Sequence, residues 1–289
     1  MVENILINGL INGGVYALLA IGFSLIFGVA RIVNIAHTAF YMLAAYFIFT
    51  FSTRLGWNPF LSILLTVILV PIVGVVTYKL TIEPIREHEI TVMIVTIAVA
   101  MVFQELMLII FGGHFRGNPS LFPGFFEFAG VRVSIQHLLT LIVVFAVLII
   151  TWEILFKTKL GLAIRATAQD REVANLMGMN VNQVAMITMA IAVAMAAIAG
   201  ALIAPLFVVE PYMWLHPLVM MLAVVVLGGL GSIKGSFLGA FILGFSETLV
   251  VFLIPLGAFL KGALSLSIMI VVLLLRPEGL FGVVFEEER

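Results

Sequence analysis

The sequence predicts an all-α fold, a polytopic transmembrane helical bundle of about eight to ten spans, and three observations carry that expectation. The 289 residues are 63% hydrophobic and only 10% charged, with a mean hydropathy of +1.27, whereas soluble domains carry about a quarter charged residues. The apolar runs reach the roughly 20 residues needed to cross hydrocarbon. They also lack period-two alternation, which excludes a β-barrel and leaves helices as the only spans that satisfy their own backbone.

Taken in order, the first span runs from about Ile5 to Val29 and carries Asn8, Asn12, Gly13, Gly14, Tyr16, Gly22 and Gly28. So many small and polar side chains predict a helix packed against others. The start, Met1 to Asn4, has no basic segment, so this run reads as a retained helix and not a signal peptide. A shorter second span, Ile35 to about Phe51, follows Asn34, which has the chemistry of an N-cap, and holds His37, Thr38 and Tyr41 in its first turns. The third, Phe60 to Leu80, contains Pro71, which predicts a kink. The fourth, Ile90 to Phe111, carries Gln104 and Glu105 and leads into a loop, Gly112 to Ser134, rich in Gly, Pro and Phe, with aromatic side chains suited to a membrane interface.

The fifth span, Ile135 to Phe156, is followed by the longest polar stretch of its kind, Lys157 to Gln183. On a helical period Leu162, Ala163, Ala166, Val173, Ala174 and Met177 gather on one side, with Arg165, Gln169, Glu172 and Asn175 opposite. Asp170 alone violates the stripe. The misfit resolves if Asp170 caps a second short helix beginning at Arg171 and Gly178 ends it. By pattern alone the stretch is either a solvated loop helix on the membrane surface or a docking element for a soluble partner. Val184 to Ala204 is the sixth span, and Pro205 to Pro217 a turn. The short seventh, Leu218 to Leu230, runs into Gly228-Gly229-Leu230-Gly231-Ser232-Ile233-Lys234-Gly235. The eighth, Phe237 to Ile254, contains Gly239 and Glu247, and the ninth is Ala263 to Leu275 ahead of an acidic tail. All of this is one domain, residues 1–289, with the 157–183 stretch as a loop inside it.

Ten of the 14 Lys and Arg fall on the side of the polar stretch, against Arg54, Arg116, Arg132 and Lys261 on the other. The positive-inside rule therefore puts that stretch and the C-terminus in the cytoplasm and the N-terminus outside. A net charge of −1 with scattered basic residues argues against nucleic acid. Without cysteine, disulfides, thiolate chemistry and cysteine-held metal centres are excluded. The five His stand apart, no protease or hydrolase motif is present, and no cofactor or metal is expected. The glycine-rich GGLGSIKGS is no phosphate loop, because Ile233 stands where the Walker pattern needs Gly before the lysine, and it reads as a helix–turn–helix packing corner built on Gly228, Gly229, Gly231, Gly235 and Gly239. The chain therefore carries no visible means of hydrolysing ATP. Ionisable groups at membrane depth, Glu247 and Glu105 with His37, leave a second class open, an ion-coupled secondary transporter, with packing roles as the plain alternative.

Four stretches in order resemble the permease subunits of branched-chain amino acid ABC importers. They are Asn8-Gly9-Leu10 through Gly22–Val29 to Val33-Asn34-Ile35-Ala36-His37, then Gly161 to Gly178, then Gly228 to Gly244, then Arg276-Pro277-Glu278-Gly279-Leu280-Phe281-Gly282. Two departures stand out: Thr38 follows the motif His where the family has Gly, and Ala44 replaces a common Gly, both enlarging a helix surface that normally permits close approach. The resemblance implies a second permease subunit, two cytoplasmic ATPase subunits that use the ATP, and an extracytoplasmic amino-acid-binding protein, in a bacterial cytoplasmic membrane. It also implies that Arg165, Asp170, Arg171, Glu172, Ala174 and Gly178 couple the chain to the ATPase. Within that reading Asn34, His37, Thr38 and Tyr41, together with Glu105 and Glu247 from their membrane depth, are the candidates for the pathway or its interface. Urea or short amides remain alternative cargoes within that reading.

Overall fold

In the computed structural model, which describes residues 2–128 and 131–281, the chain is a helical membrane bundle. Among the described residues, seven helices are long and apolar enough to cross a membrane. They are α1 (Val2–Ala30), α3 (Pro59–Thr77, carried on by irregular turns to Ile85), α4 (Glu89–Phe111), α5 (Ile135–Lys157), α8 (Val181–Ile203), α10 (Ile233–Leu253) and α11 (Gly257–Leu275). Between them lie α2 (His37–Ile48), α6 (Lys159–Gln169), α7 (Arg171–Leu176) and α9 (Leu215–Gly228). The nine apolar runs of the sequence thus become seven full spans and two shorter ones. At 1.5 Å per residue, the 14 residues of α9 rise only about 21 Å, short of a roughly 30 Å hydrocarbon core. The second run breaks for a different reason: α2 gives way to a π-helical segment, Phe49–Arg54, where Thr50 and Ser52 hydroxyls donate to the carbonyls of Tyr46 and Ile48.

α1 is the axis of the bundle. In its membrane window 89% of the residues are buried, against 6% for α11 at the rim. Around α1 stand α10, α8, α9 and α5, while α2 is held between α8, α3 and α4. Small residues set these distances: a Cβ on Gly244 of α10 would overlap the Gly13 backbone of α1, and one on Gly200 of α8 would overlap the Tyr41 carbonyl of α2. Ala44 fits against α8 because its facing residue is Gly200. Pro71 lies inside α3 without ending it.

The Gly112–Ser134 loop is more ordered than its composition suggests. Phe125–Phe128 (β1) and Val131–Ser134 (β2) pair antiparallel, with Phe125 opposite Ser134, and Arg116 exchanges backbone hydrogen bonds with Val209, tying this loop to the one after α8. The glycine-rich corner between α9 and α10 is an interlock: a Cβ on Gly228 or Gly235 would strike the other residue's backbone, and Gly229 and Gly231 take φ of +96° and +78° in the turn. The Arg276–Phe281 segment folds back onto it, Leu280 and Phe281 donating their N–H groups to the Leu227 and Gly228 carbonyls at 2.8 and 3.0 Å. Two glycine motifs some fifty residues apart therefore close one corner. Gly282 and the acidic tail lie outside the described residues.

Candidate functional site: a capped protrusion and a buried carboxylate

At one end of the bundle α6 and α7 project between α5 and α8. Thr158 caps α6, its hydroxyl accepting from the Gly161 N–H at 3.0 Å. Asp170 closes α6 and opens α7: its N–H donates to the Ala166 carbonyl, while its Oδ1 accepts from the N–H groups of Glu172 and Val173, both at 2.9 Å. At the far end Met179 N–H reaches the Ala174 carbonyl and Gly178 N–H the Asn175 carbonyl, with Gly178 at φ +84°. This is a Schellman cap, which needs a left-handed residue at that point. Both ends of each short helix are thus satisfied within eleven and six residues, lengths at which an isolated helix would not persist.

The orientation of these helices differs from a simple stripe. Gly161, Ile164, Thr167 and Ala174 face the bundle, whereas Leu162, Val173, Leu176 and Met177 stand out from it, the last two 85% and 78% exposed. Gly161 belongs to the inner face because its α-carbon lies against the carbonyls of Ile154 and Leu155, where no side chain fits. Arg165 stacks over the Phe156 ring at 5.0 Å, and Arg31 donates to the Ala168 carbonyl, pinning the end of α1 to α6. Beside α7, Arg86, Glu87, Arg171, Glu172 and Asn182 line an open cleft of about 860 Å³. Burial and then the like charge of Arg86 hold the Arg171 guanidinium below its ordinary pKa, and Arg86 itself donates to the Asn182 side chain.

Deeper in the bundle, Asn34, His37 and Thr38 are fully buried. Asn34 does not cap α2. Its carbonyl accepts from the His37 N–H at 3.2 Å, its amide points to the Met189 sulfur at 3.7 Å, and Ala36 occupies the cap position with helical dihedrals. The link before α2 is buried inside the bundle, where the Ile35 N–H finds the Thr96 hydroxyl and the Asn34 side chain meets Met189 of α8. The His37 ring lies against Gly22 of α1.

At the opposite end from α6 and α7, Glu247 of α10 is enclosed, its side chain 4% exposed. The Tyr16 hydroxyl donates to its Oε2 at 2.6 Å, Lys261 Nζ lies 3.3 Å from its Oε1, and His216 Nε2 lies 3.2 Å from both that Oε1 and the Tyr16 oxygen. Tyr16 spends its single proton on the carboxylate, so its oxygen accepts and His216 Nε2 must carry a hydrogen. One turn on, Asn12 donates to the Thr248 hydroxyl at 3.2 Å. Tyr41 reaches the same space from α2, and Glu210 stands on its rim. The cavity, partly open at its mouth, measures about 660 Å³, a size typical of small-ligand sites.

Glu105 does not join this group. It is exposed on the outer face of α4 and accepts from Gln104 at 3.3 Å, while Gln104 turns inward to receive the Trp214 indole N–H at 2.9 Å. His37 stands apart too, packed on Gly22 rather than among the cavity-lining residues. The relay that a secondary transporter would need from Glu105, Glu247 and His37 is therefore not assembled. Sequence reasoning missed Tyr16, His216 and Lys261 as partners of Glu247, because they come from three other helices. A usable signal was present: a carboxylate at membrane depth demands a cation, and Lys261 is the one Lys or Arg between Glu247 and Arg276.

Residues 5–273 match the family model described as branched-chain amino acid transport system / permease component. The chain is 30% identical over 292 residues to the high-affinity branched-chain amino acid transport system permease protein BraD of Pseudomonas aeruginosa, covering 96% of this chain and 94% of that protein. Identity is 29% over 295 residues to the permease protein LivH of Escherichia coli (95% and 94% covered) and 29% over 297 residues to a probable LivH of Methanocaldococcus jannaschii (97% and 93%). No solved structure matches. With a full-length match, seven apolar helices and the interlocked glycine corner, the chain belongs to the branched-chain amino acid transport permease family, as a multi-pass membrane protein.

Proposed function

We propose that the chain is one permease subunit of an ABC importer that carries branched-chain or similar apolar amino acids inward across a bacterial cytoplasmic membrane. A second permease subunit completes the pathway, two cytoplasmic ATPase subunits supply the ATP-driven stroke, and an extracytoplasmic binding protein delivers the amino acid. The likeness to BraD and LivH along the whole chain supports the cargo class.

The observation that carries the coupling role is the α6–Asp170–α7 protrusion. It offers exposed Leu162, Val173, Leu176 and Met177 on helices whose ends are all capped. Exposed large apolar side chains mark a surface that meets another protein or the membrane, and on a protrusion of a family permease they support the protein partner, since a capped helix transmits displacement where a loop would absorb it. Arg165, Arg171 and Glu172 surround that apolar face and set its register on the ATPase. In this orientation the protrusion is cytoplasmic and the Glu247 cavity opens toward the side of delivery, with the N-terminus outside.

Coexpression with the ATPase and binding-protein subunits, followed by reconstitution in proteoliposomes, tests this. Arg165→Glu is expected to lower leucine uptake per ATP hydrolysed while the permease purifies with unchanged yield. Uptake by the purified chain alone, driven by an ion gradient without nucleotide, would overturn the proposal.

A further inference from the structure

Resting on the import reading, the geometry points to the Glu247–Lys261 pair as the place where the charged backbone of an incoming amino acid is read. We propose that Glu247 takes the α-ammonium and Lys261, displaced from the carboxylate, takes the α-carboxylate, while the aliphatic side chain lies against the apolar wall of the cavity.

The chemistry of the cavity is that of an amphiphile. Val15, Ile203, Phe207, Met213, Val251 and Phe252 line it, and Tyr16, His216 and Lys261 meet on the Glu247 carboxylate, with Asn8, Tyr41 and Glu210 as further polar lining. Oppositely charged groups 3.3 Å apart match a molecule that bears both charges on neighbouring carbons, since each can exchange its partner for the opposite pole of the ligand. A ligand without charged groups could not replace both partners without leaving a buried charge unpaired.

The two halves of the pair are held unequally. Glu247 is fixed by Tyr16 and His216 and is almost fully enclosed, whereas the Lys261 and His216 side chains are each 36% exposed. Lys261 stands on the second turn of α11, next to Gly262, whose surroundings are open within 4 Å, and beyond the Ile254–Leu256 turn that joins α10 to α11. The acid is preorganised and the base is on a flexible stem, so displacing the lysine needs little rearrangement. Tyr16 and His216 keep the carboxylate hydrogen-bonded while the cation is exchanged.

Because the chain has no cysteine, a single thiol can report on the cavity. Val208, half exposed at the rim, is replaced by Cys in the complete importer, without binding protein, and its rate of reaction with an impermeant maleimide is measured. Leucine at roughly ten times its dissociation constant is expected to slow labelling about tenfold, since only the free fraction reacts. Isovalerate and isopentylamine, each lacking one pole, are expected to leave the rate unchanged. Glu247→Gln and the rim variant Lys261→Gln are each expected to abolish protection by leucine, while Lys234→Gln at the other end of α10 retains it. Protection that survives both Gln variants, or equal protection by a one-pole analogue, would overturn the proposal. With the binding protein added back, leucine uptake by an importer that shows no protection would overturn this inference alone, whereas absence of any amino-acid uptake by that full assembly would overturn the import reading.

Discussion

Asp170 shows how a single residue betrays a break between two helices. A carboxylate inside an apolar stripe is a misfit on one helix and a cap between two, and its Oδ1 serves two N–H groups at once. Asp170→Ala is expected to cost about 1 kcal/mol of local helix stability and to lower uptake per ATP, with Asp170→Asn restoring both because its Oδ1 can still accept; parallel uptake and hydrolysis assays check this. Tyr16→Phe removes the 2.6 Å donor to Glu247 without changing shape. Loss of a hydrogen bond to a charged group costs about 1.5–3 kcal/mol, so the variant is expected to melt at lower temperature, read by thermal unfolding in detergent. His216, by contrast, could not have been paired with Glu247 from its sequence position, since 31 residues and a helix–turn–helix corner separate them.

At the scale of elements, the decisive surprise is the face α6 and α7 turn outward. Amphipathic periodicity groups Leu162 with Val173 and Met177, but it is silent on which face meets the bundle. Gly161 decides for α6, because its close approach to the end of α5 turns the Gly161–Ile164–Thr167 face inward and leaves Leu162 exposed. The double variant Leu176→Asp and Met177→Asp is therefore expected to abolish capture of the ATPase subunits while leaving permease yield unchanged, measured by copurification. The α9–α10 corner makes the opposite prediction. Gly235→Val puts branched carbon into the Gly228 backbone, so it is expected to prevent a monodisperse permease from being recovered by size-exclusion chromatography.

For the whole molecule, α1 threads the bundle from the Glu247 end to the α6 end, so the N-terminal end and the protrusion lie at opposite poles. Single thiols in this cysteine-free chain test which pole is which: Met177→Cys is expected to resist an impermeant maleimide in intact cells and Trp57→Cys to react, each site being exposed. Reaction at Met177 from outside would reverse the assignment of sides and end the coupling proposal.

Composition, run length and the lack of period-two alternation determined that this is a helical membrane bundle, because only helices and closed barrels satisfy their backbone in hydrocarbon and a barrel needs that alternation. Local chemistry likewise determined the Asp170 and Gly178 caps, since a cap is a contact within a few residues. What tertiary structure decided was everything that needs two helices to meet. It shortened the second and seventh apolar runs, drew Asn34 away from its cap toward α8, left Glu105 on the outer face and brought Tyr16, His216 and Lys261 to Glu247. Hydropathy cannot tell a lipid-facing surface from a helix-facing one, because both are apolar. Which polar side chain finds which partner is settled only when the small residues let the backbones close.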